Sequence, residues 1–247
     1  MLLTEPRVLE NDHVRLEPLD PGHADDLADA ATGLAYAWYT SVPASPAEEI
    51  AFRLAERDAS RMNPWAVIHE GRAVGMTTFC SIDQPNRHVE IGYTWLAPRV
   101  QRTAVNTAAK LLLLGHAFDA CDAIAVEFRT HWHNRQSRAA IERLGAKQDG
   151  VLRNARLGPD GTLRDTVVYS ILPHEWPAVR LGLQTRLARP RASAAAGSRC
   201  RETTIGMRNT FRRGFSRRMW FLSAVARAGR RGPVSRRRRP RARQGTP

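Results

Sequence analysis

The segment 88–146 constrains this chain more than any other. It reads HVEIGYTWLAP, RVQRTAVNTAAKLLLLGHAFDACD, AIAVEFRTHWHN and RQSRAAIERLGA in succession. The first piece alternates, Val89, Ile91, Tyr93 and Trp95 on one side and His88, Glu90, Gly92 and Thr94 on the other, which is the period of a strand. Pro98 ends it. From about 103 to 120 the chain is apolar almost all round (Val105, Ala108, Leu111 to Leu114, Ala117, Phe118), as in a helix buried inside a domain. A second strand is expected at 123–130. A second helix follows, closed by Leu144-Gly145 with Gly145 past its C-terminus. Strand, helix and parallel strand make a βαβ crossover, and ligands of open α/β sheets gather at the carboxyl ends of the strands. There the turn Gln101, Arg102, Thr103, Ala104, Val105, Asn106 opens directly into the buried helix. The first N–H groups of a helix lack intrahelical partners, so such a turn suits a pyrophosphate, and Arg99 and Arg102 add positive charge. An ordinary solvated helix start would have the same spacing.

Three features, taken as an ordered set, carry a family resemblance. One is Glu90-Ile91-Gly92-Tyr93 ending in Leu96-Ala97-Pro98. Another is the Gln101-to-Asn106 turn. The third is Asn134-x-x-Ser137 followed by Glu142-x-x-Gly145-Ala146. The set resembles the GNAT superfamily of acyl-CoA N-acyltransferases, in particular the branch of the ribosomal-protein N-terminal alanine and serine acetyltransferases. It extends through Leu152-Arg153 and the run 164–170, and covers roughly 8–187. The resemblance implies an α/β fold: a mixed, mostly antiparallel sheet with one splayed parallel strand pair and helices on both faces. It implies acetyl-CoA as acyl donor and an amine acceptor, joined by direct attack in a ternary complex. It places Gln101, Arg102, Thr103, Ala104, Val105 and Asn106 around the cofactor phosphates and Asn134 on the pantetheine arm. Asn134 also suits a plain helix N-cap. Two departures lie in the phosphate turn, where the family's glycine is Ala104 and its last small residue Asn106. Alanine loses little there if its φ is negative. A third is Ile141, where many relatives have tyrosine, which leaves Ser137 as the proton donor.

Acyl transfer to an amine needs a gripped donor, a deprotonated amine, a stabilised oxyanion and a protonated leaving thiolate. Glu90 is the candidate base: flanked by Val89 and Ile91, it would be partly desolvated and its pKa raised. A solvated glutamate paired with Arg87 is the simpler alternative. An oxyanion donor would be a backbone N–H near Tyr93 to Trp95. His131-x-His133 lacks a third ligand at sensible spacing, so no metal is expected. Cys121 reads as structural.

The flanking segments supply the rest of a sheet. A strand is expected within 8–19, then a helix capped by Asp20 with Pro21 in its first turn. Tyr36, Trp38 and Tyr39 suit core more than an acceptor pocket. Ser45-Pro46-Ala47-Glu48 is a capping-box pattern opening a helix that buries Ile50, Phe52 and Leu54 and is broken by Asn63-Pro64. Two strands turn at Glu70-Gly71, two more follow 146, and a last helix begins near Trp176 and fades near Arg189.

Charge divides the chain in two. Residues 190–247 hold seventeen arginines, no lysine and one acid, so their net +16 exceeds the whole chain's +14 and leaves −2 on 1–189. The organisation expected is one acetyltransferase domain, 1–189, and an Arg-rich, disordered tail, 190–247, that binds nucleic acid or membrane if anything does. Three scattered cysteines, Cys80, Cys121 and Cys200, and no signal-peptide pattern fit the cytoplasm. A homodimer remains open. The rival reading is a non-catalytic GNAT-like module, its loop glycines lost, anchored to a polyanion by the tail.

Overall fold

The computed structural model describes residues 1–34, 45–158 and 160–189. Tyr36, Trp38, Tyr39 and the whole of 190–247 lie outside the described residues, so the expectations made for them have no structural counterpart.

One eight-stranded sheet runs in the order β1-β2-β3-β4-β5-β6-β8-β7. Its strands are β1 (Leu9–Glu10), β2 (Arg15–Pro18), β3 (Asn63–His69), β4 (Arg72–Asp83), β5 (His88–Leu96), β6 (Ala125–His131), β7 (Lys147–Leu157) and β8 (Leu163–Ile171). Every pairing is antiparallel except β5 with β6. Among the described residues five α-helices accompany it: α1 (Ala24–Ala31), α2 (Pro46–Asp58), α3 (Val105–Gly115), α4 (Arg135–Glu142) and α5 (Trp176–Ala188). This is the mixed α/β architecture that the resemblance implies.

Local chemistry sets the element ends. Asp20 caps the helical turn before α1, its side chain accepting from Gly22 N at 2.6 Å. Ser45 caps α2 by accepting from Glu48 N at 3.2 Å. The β3–β4 turn places Glu70 at φ 51° and Gly71 at φ 76°, the doubly left-handed conformation that matches strand twist in a two-residue hairpin.

The two faces of the sheet have different partners. Phe79 of β4 stacks on His116 at 6.0 Å, at the end of α3, while neighbouring Thr78 points the other way to Arg53 of α2. Past Gly115 the α3 helix widens into a π turn, His116–Ala120, whose Phe118 stacks on Trp176 of α5 at 5.6 Å. On that same face α4 reaches β8 through Arg138, which donates to the Tyr169 hydroxyl at 3.0 Å. The core beneath α3 includes Trp65, Val89, Leu113 and Val126, all fully buried.

The strand expected within 8–19 is β2, and the two-residue β1 pairs antiparallel with it. Two expectations need correction. Asn63-Pro64 does not break a helix: α2 has ended at Asp58, and Pro64 sits in β3 opposite Thr78, near the strand's start where a missing N–H is tolerated. The buried side of α2 is Glu49, Ile50 and Arg53, whereas Phe52 is 47% exposed. A charged pair four residues apart outranks the phenylalanine because each member satisfies the other inside.

Candidate active site

The parallel pair β5–β6 is short. It holds for His88↔Ala125, Val89↔Val126 and Glu90↔Glu127, after which β5 continues along β4 and β6 along β8. The strands splay because β5 is bulged. Thr78 faces Gly92 and Met76 faces Trp95, so Thr77 lies opposite two residues, Tyr93 and Thr94. Tyr93 takes φ 47° to make the extra turn. The even alternation expected of β5 therefore ends at Gly92. Tyr93 turns to the α2 face and is 42% exposed, and Trp95 follows it, donating to Glu49 Oε2 at 3.1 Å. Thr94 turns to the α3 face.

Two buried cations hold this bulge, one from each side. Arg53 of α2, 0% exposed, donates to Tyr93 O at 2.7 Å and Thr78 Oγ1 at 2.8 Å, and is paired with Glu49. Lys110 of α3 donates to Thr94 Oγ1 at 2.8 Å and Thr77 Oγ1 at 3.2 Å. Burial without a carboxylate partner pulls the Lys110 ammonium down to about 7. Neither residue stood out in the sequence. The Glu49–Arg53 spacing of four was the only signal for the first, and Lys110, a single lysine inside an apolar helix, was the signal for the second.

Glu90 lies at the mouth of the splay on the α2 face, its side chain 13% exposed. Burial pushes its pKa up, against the opposing pull of Arg129, whose Nε is 3.7 Å from Oε2, and of Ser81, whose hydroxyl donates at 3.1 Å. Its ion-pair neighbour is thus Arg129 of β6, not the Arg87 of the simpler alternative. Gly92 makes the room: a Cβ there would stand 2.8 Å from Cys80 Sγ and 3.1 Å from Glu90 Oε1. Glu127, directly opposite Glu90 and unremarked in the sequence, is held by Arg129 Nε at 2.9 Å and His88 Nε2 at 3.2 Å.

The turn into α3 begins with a 3-10 turn at Pro98–Val100. Gln101 Nε2 donates to Leu96 O at 2.9 Å, so its side chain closes the turn on itself. Arg102 has φ 61°, and the Thr103 hydroxyl donates to Val100 O at 2.6 Å. Ala104 sits at φ −68°, a conformation that asks for no glycine, and α3 starts with no side-chain cap at its N-cap position. Val105 N reaches Thr103 Oγ1 at 3.3 Å, and Asn106 is half-buried in the first turn. Arg99 is tied to Asp29 at 3.4 Å, which leaves Arg102 as the arginine of the turn itself. Asn134 caps α4, its Oδ1 accepting from Ser137 N at 3.0 Å. Ser137 is half-buried on that first turn. Because α4 packs on the Tyr169 face, Ser137 and Glu90 belong to opposite faces of the sheet, with the splay between them.

Cys121 has a histidine nearby, His116 Nε2 at 3.8 Å, but burial pushes the thiol pKa up and the imidazole pKa down, both of which oppose a thiolate–imidazolium pair. His131 and His133 have ring centroids 5.5 Å apart, and no metal-holding group of three ligands occurs among the described residues.

A splayed parallel pair, an uncapped helix start at its carboxyl end and a desolvated carboxylate in its mouth are the parts of an acyl-CoA acyltransferase fold. A family model for the acetyltransferase (GNAT) domain matches residues 13–147, and the chain belongs to that family. It is similar to a GCN5-related N-acetyltransferase from Brucella melitensis: 31% identity, 74% of this chain and 86% of that one, TM-score 0.69. It is 34% identical over 110 residues to the provisionally named ribosomal N-acetyltransferase YdaF of Bacillus subtilis (strain 168). That match covers 44% of this chain and 59% of the relative, so it spans less than two thirds of the relative's length. Mycobacterium smegmatis RimJ, solved in complex with CoA-disulfide, shares the fold at 22% identity, covering 74% of this chain and 96% of that one, with TM-score 0.64.

Proposed function

We propose that this protein transfers the acetyl group of acetyl-CoA to a primary amine, by direct attack in a ternary complex. The observation that carries the reading is Glu90, a carboxylate desolvated at the point where β5 and β6 part. The uncapped first turn of α3, with the backbone of Gln101 to Asn106 and the charge of Arg102, receives the pyrophosphate of the donor. Ala104 at negative φ fits that role without the family's glycine, and Asn106 stands in the first turn where the family has a small residue. Asn134 already spends Oδ1 on its cap, and its Nδ2 is the donor for the pantetheine arm.

The amine nitrogen then attacks the thioester carbonyl carbon. Glu90, its pKa raised, accepts the amine proton through water. A backbone N–H of the bulge, in the stretch from Tyr93 to Trp95, stabilises the oxyanion, and Arg53 and Lys110 keep that backbone still. As the C–S bond breaks, Ser137 Oγ–H protonates the departing sulfur from the α4 side and recovers its proton from solvent. Residues 1–189 form the working unit in this reading.

The test is thermal stabilisation by acetyl-CoA, followed by free-thiol release with mixed amines. Binding to the native state alone raises its stability by mass action. A rise in Tm with acetyl-CoA and amine-dependent thiol release are expected. No shift at millimolar acetyl-CoA would remove the enzyme reading in favour of a non-catalytic module.

A further inference from the structure

We propose that Glu127 is a positioning residue for the acetyl transfer: it holds the Arg129 guanidinium on itself, keeps that charge from closing on Glu90, and so preserves Glu90 as a base strong enough to take the proton of the amine. The proposal rests on the acetyl-transfer reading and deepens it at the same opening.

The strand register brings the three side chains together. Glu90 and Glu127 stand directly opposite each other at the last rung of the parallel pair. Side chains directly opposite one another share a face, and every second residue along a strand returns to it. One such step further come Gly92 on β5 and Arg129 on β6, where the strands have parted. Gly92 offers Arg129 no side chain, and the guanidinium turns back toward the two carboxylates. It turns to Glu127: Nε is 2.9 Å and Nη2 2.8 Å from Glu127 Oε2, against 3.7 Å from Nε to Glu90 Oε2. The first two are charge-assisted hydrogen bonds, and the last is beyond hydrogen-bond reach. His88 Nε2 lies 3.2 Å from Glu127 Oε1, so Glu127 is engaged at both oxygens.

Two carboxylates thus share one guanidinium, and the division is unequal. Burial pushes the Glu90 pKa up, Arg129 and the Ser81 hydroxyl pull it down, and Glu127 pushes it up again. Released from Glu127, Arg129 would close on Glu90 with two N–H groups. Glu90 would then be a more firmly ionised carboxylate and a weaker proton acceptor, and a general base loses rate as its proton affinity falls. The other charged groups around Glu90 leave this balance in place. Arg53 of α2 is paired with Glu49. Burial raises both the Cys80 thiol of β4 and the Tyr93 phenol, which stay uncharged. Lys110 lies on the other face with Thr77 and Thr94. Arg156 of β7 acts on Glu90, and Arg164 of β8 feels its charge, but both are common to every variant below. An ion pair within β6 that served stability alone would have the same distances, but its loss would leave the proton affinity of Glu90 where it was.

The experiment titrates the Glu90 carboxyl by NMR, using the full chain with glutamate labelled at the side-chain carboxyl carbon. The Glu90 signal is the one missing in Glu90→Gln. Glu127→Gln should lower the midpoint relative to wild type and Arg129→Gln should raise it. Glu127→Asp, which keeps the charge, should fall between Glu127→Gln and wild type. Removing Arg129 should raise the midpoint more in the Glu127→Gln background than in wild type, because there the guanidinium has moved onto Glu90. The pH profile of kcat/KM should shift in the same order. Above the midpoint, Glu127→Gln should lose about threefold or more in kcat, with acetyl-CoA affinity kept. An unchanged or raised midpoint in Glu127→Gln overturns the proposal, as does an equal effect of Arg129 in the two backgrounds. Should Glu127→Gln not fold, Glu127→Asp decides: a lowered midpoint supports the proposal and an unchanged one overturns it. If no amine is acetylated, the acetyl-transfer reading fails separately, and the carboxyl titration alone decides this one.

Discussion

Lys110 carries an ammonium into a site whose hydrogen-bond partners, Thr77 and Thr94, are both neutral. Its folded-state value of about 7 lies below the ordinary 10.5 of a lysine. Between those two values the unfolded chain binds a proton that the native state does not, so stability rises with pH in that window and is flat below it. The slope should approach about 1.4 kcal/mol per pH unit. Urea unfolding of wild type and Lys110→Met at pH 7.5 and 9.5 checks this, and the rise should vanish in the variant. Arg53 is the opposite case, a buried cation with its counter-charge. Arg53→Met should cost about 3–5 kcal/mol because it strands the Glu49 carboxylate. Adding Glu49→Gln should return part of that loss in stability without restoring turnover, since the Tyr93 carbonyl still lacks its tie. A double-mutant cycle in denaturant, run beside the rate assay, separates the two effects.

Among the elements, those that could be read from the sequence are the ones fixed by neighbours along the chain. The α3 helix announced itself by its apolar run, the β3–β4 hairpin by Glu70-Gly71, and α2 by Ser45. The β5 bulge was invisible, since it exists in the register between β4 and β5 and in the grip of Arg53 and Lys110, residues far apart in sequence. For the same reason Trp95 was put on the wrong face and Phe52 in the core: a rule of alternation or of hydrophobicity says nothing about a buried ion pair. Glu90 was legible because two apolar neighbours and a following glycine mark a desolvated carboxylate locally. Its partners Ser81, Glu127 and Arg129 were not. At α4 the cap and the proposed cofactor contact share one side chain. Asn134→Ala should therefore weaken acetyl-CoA binding several-fold and also lower stability by about 1 kcal/mol. Ser137→Ala should slow turnover with acetyl-CoA affinity kept. Titration calorimetry with acetyl-CoA distinguishes them, and equal affinity loss in both would remove the assigned roles.

For the molecule as a whole, the basic excess lies outside the described residues. The last described helix, α5, ends at Ala188, and the seventeen arginines of 190–247 follow it in the sequence. No helix among the described residues is long and apolar enough to cross a membrane. A chain ending at Arg189 is expected to keep its turnover and thermal transition and to lose affinity for heparin or nucleic acid, which salt-dependent retention on a polyanion column would show. Loss of activity on truncation would make 190–247 part of the working protein.

The central claim is that Glu90 takes the proton of the acceptor amine. The pH dependence of kcat/KM in wild type and in Glu90→Gln tests it most directly. Wild-type activity should rise as Glu90 loses its proton, through a midpoint above the ordinary 4.5 of a glutamate. In Glu90→Gln that rise should disappear and turnover should fall by about 100-fold, with acetyl-CoA affinity unchanged. The same profile and the same rate in both proteins would contradict the account.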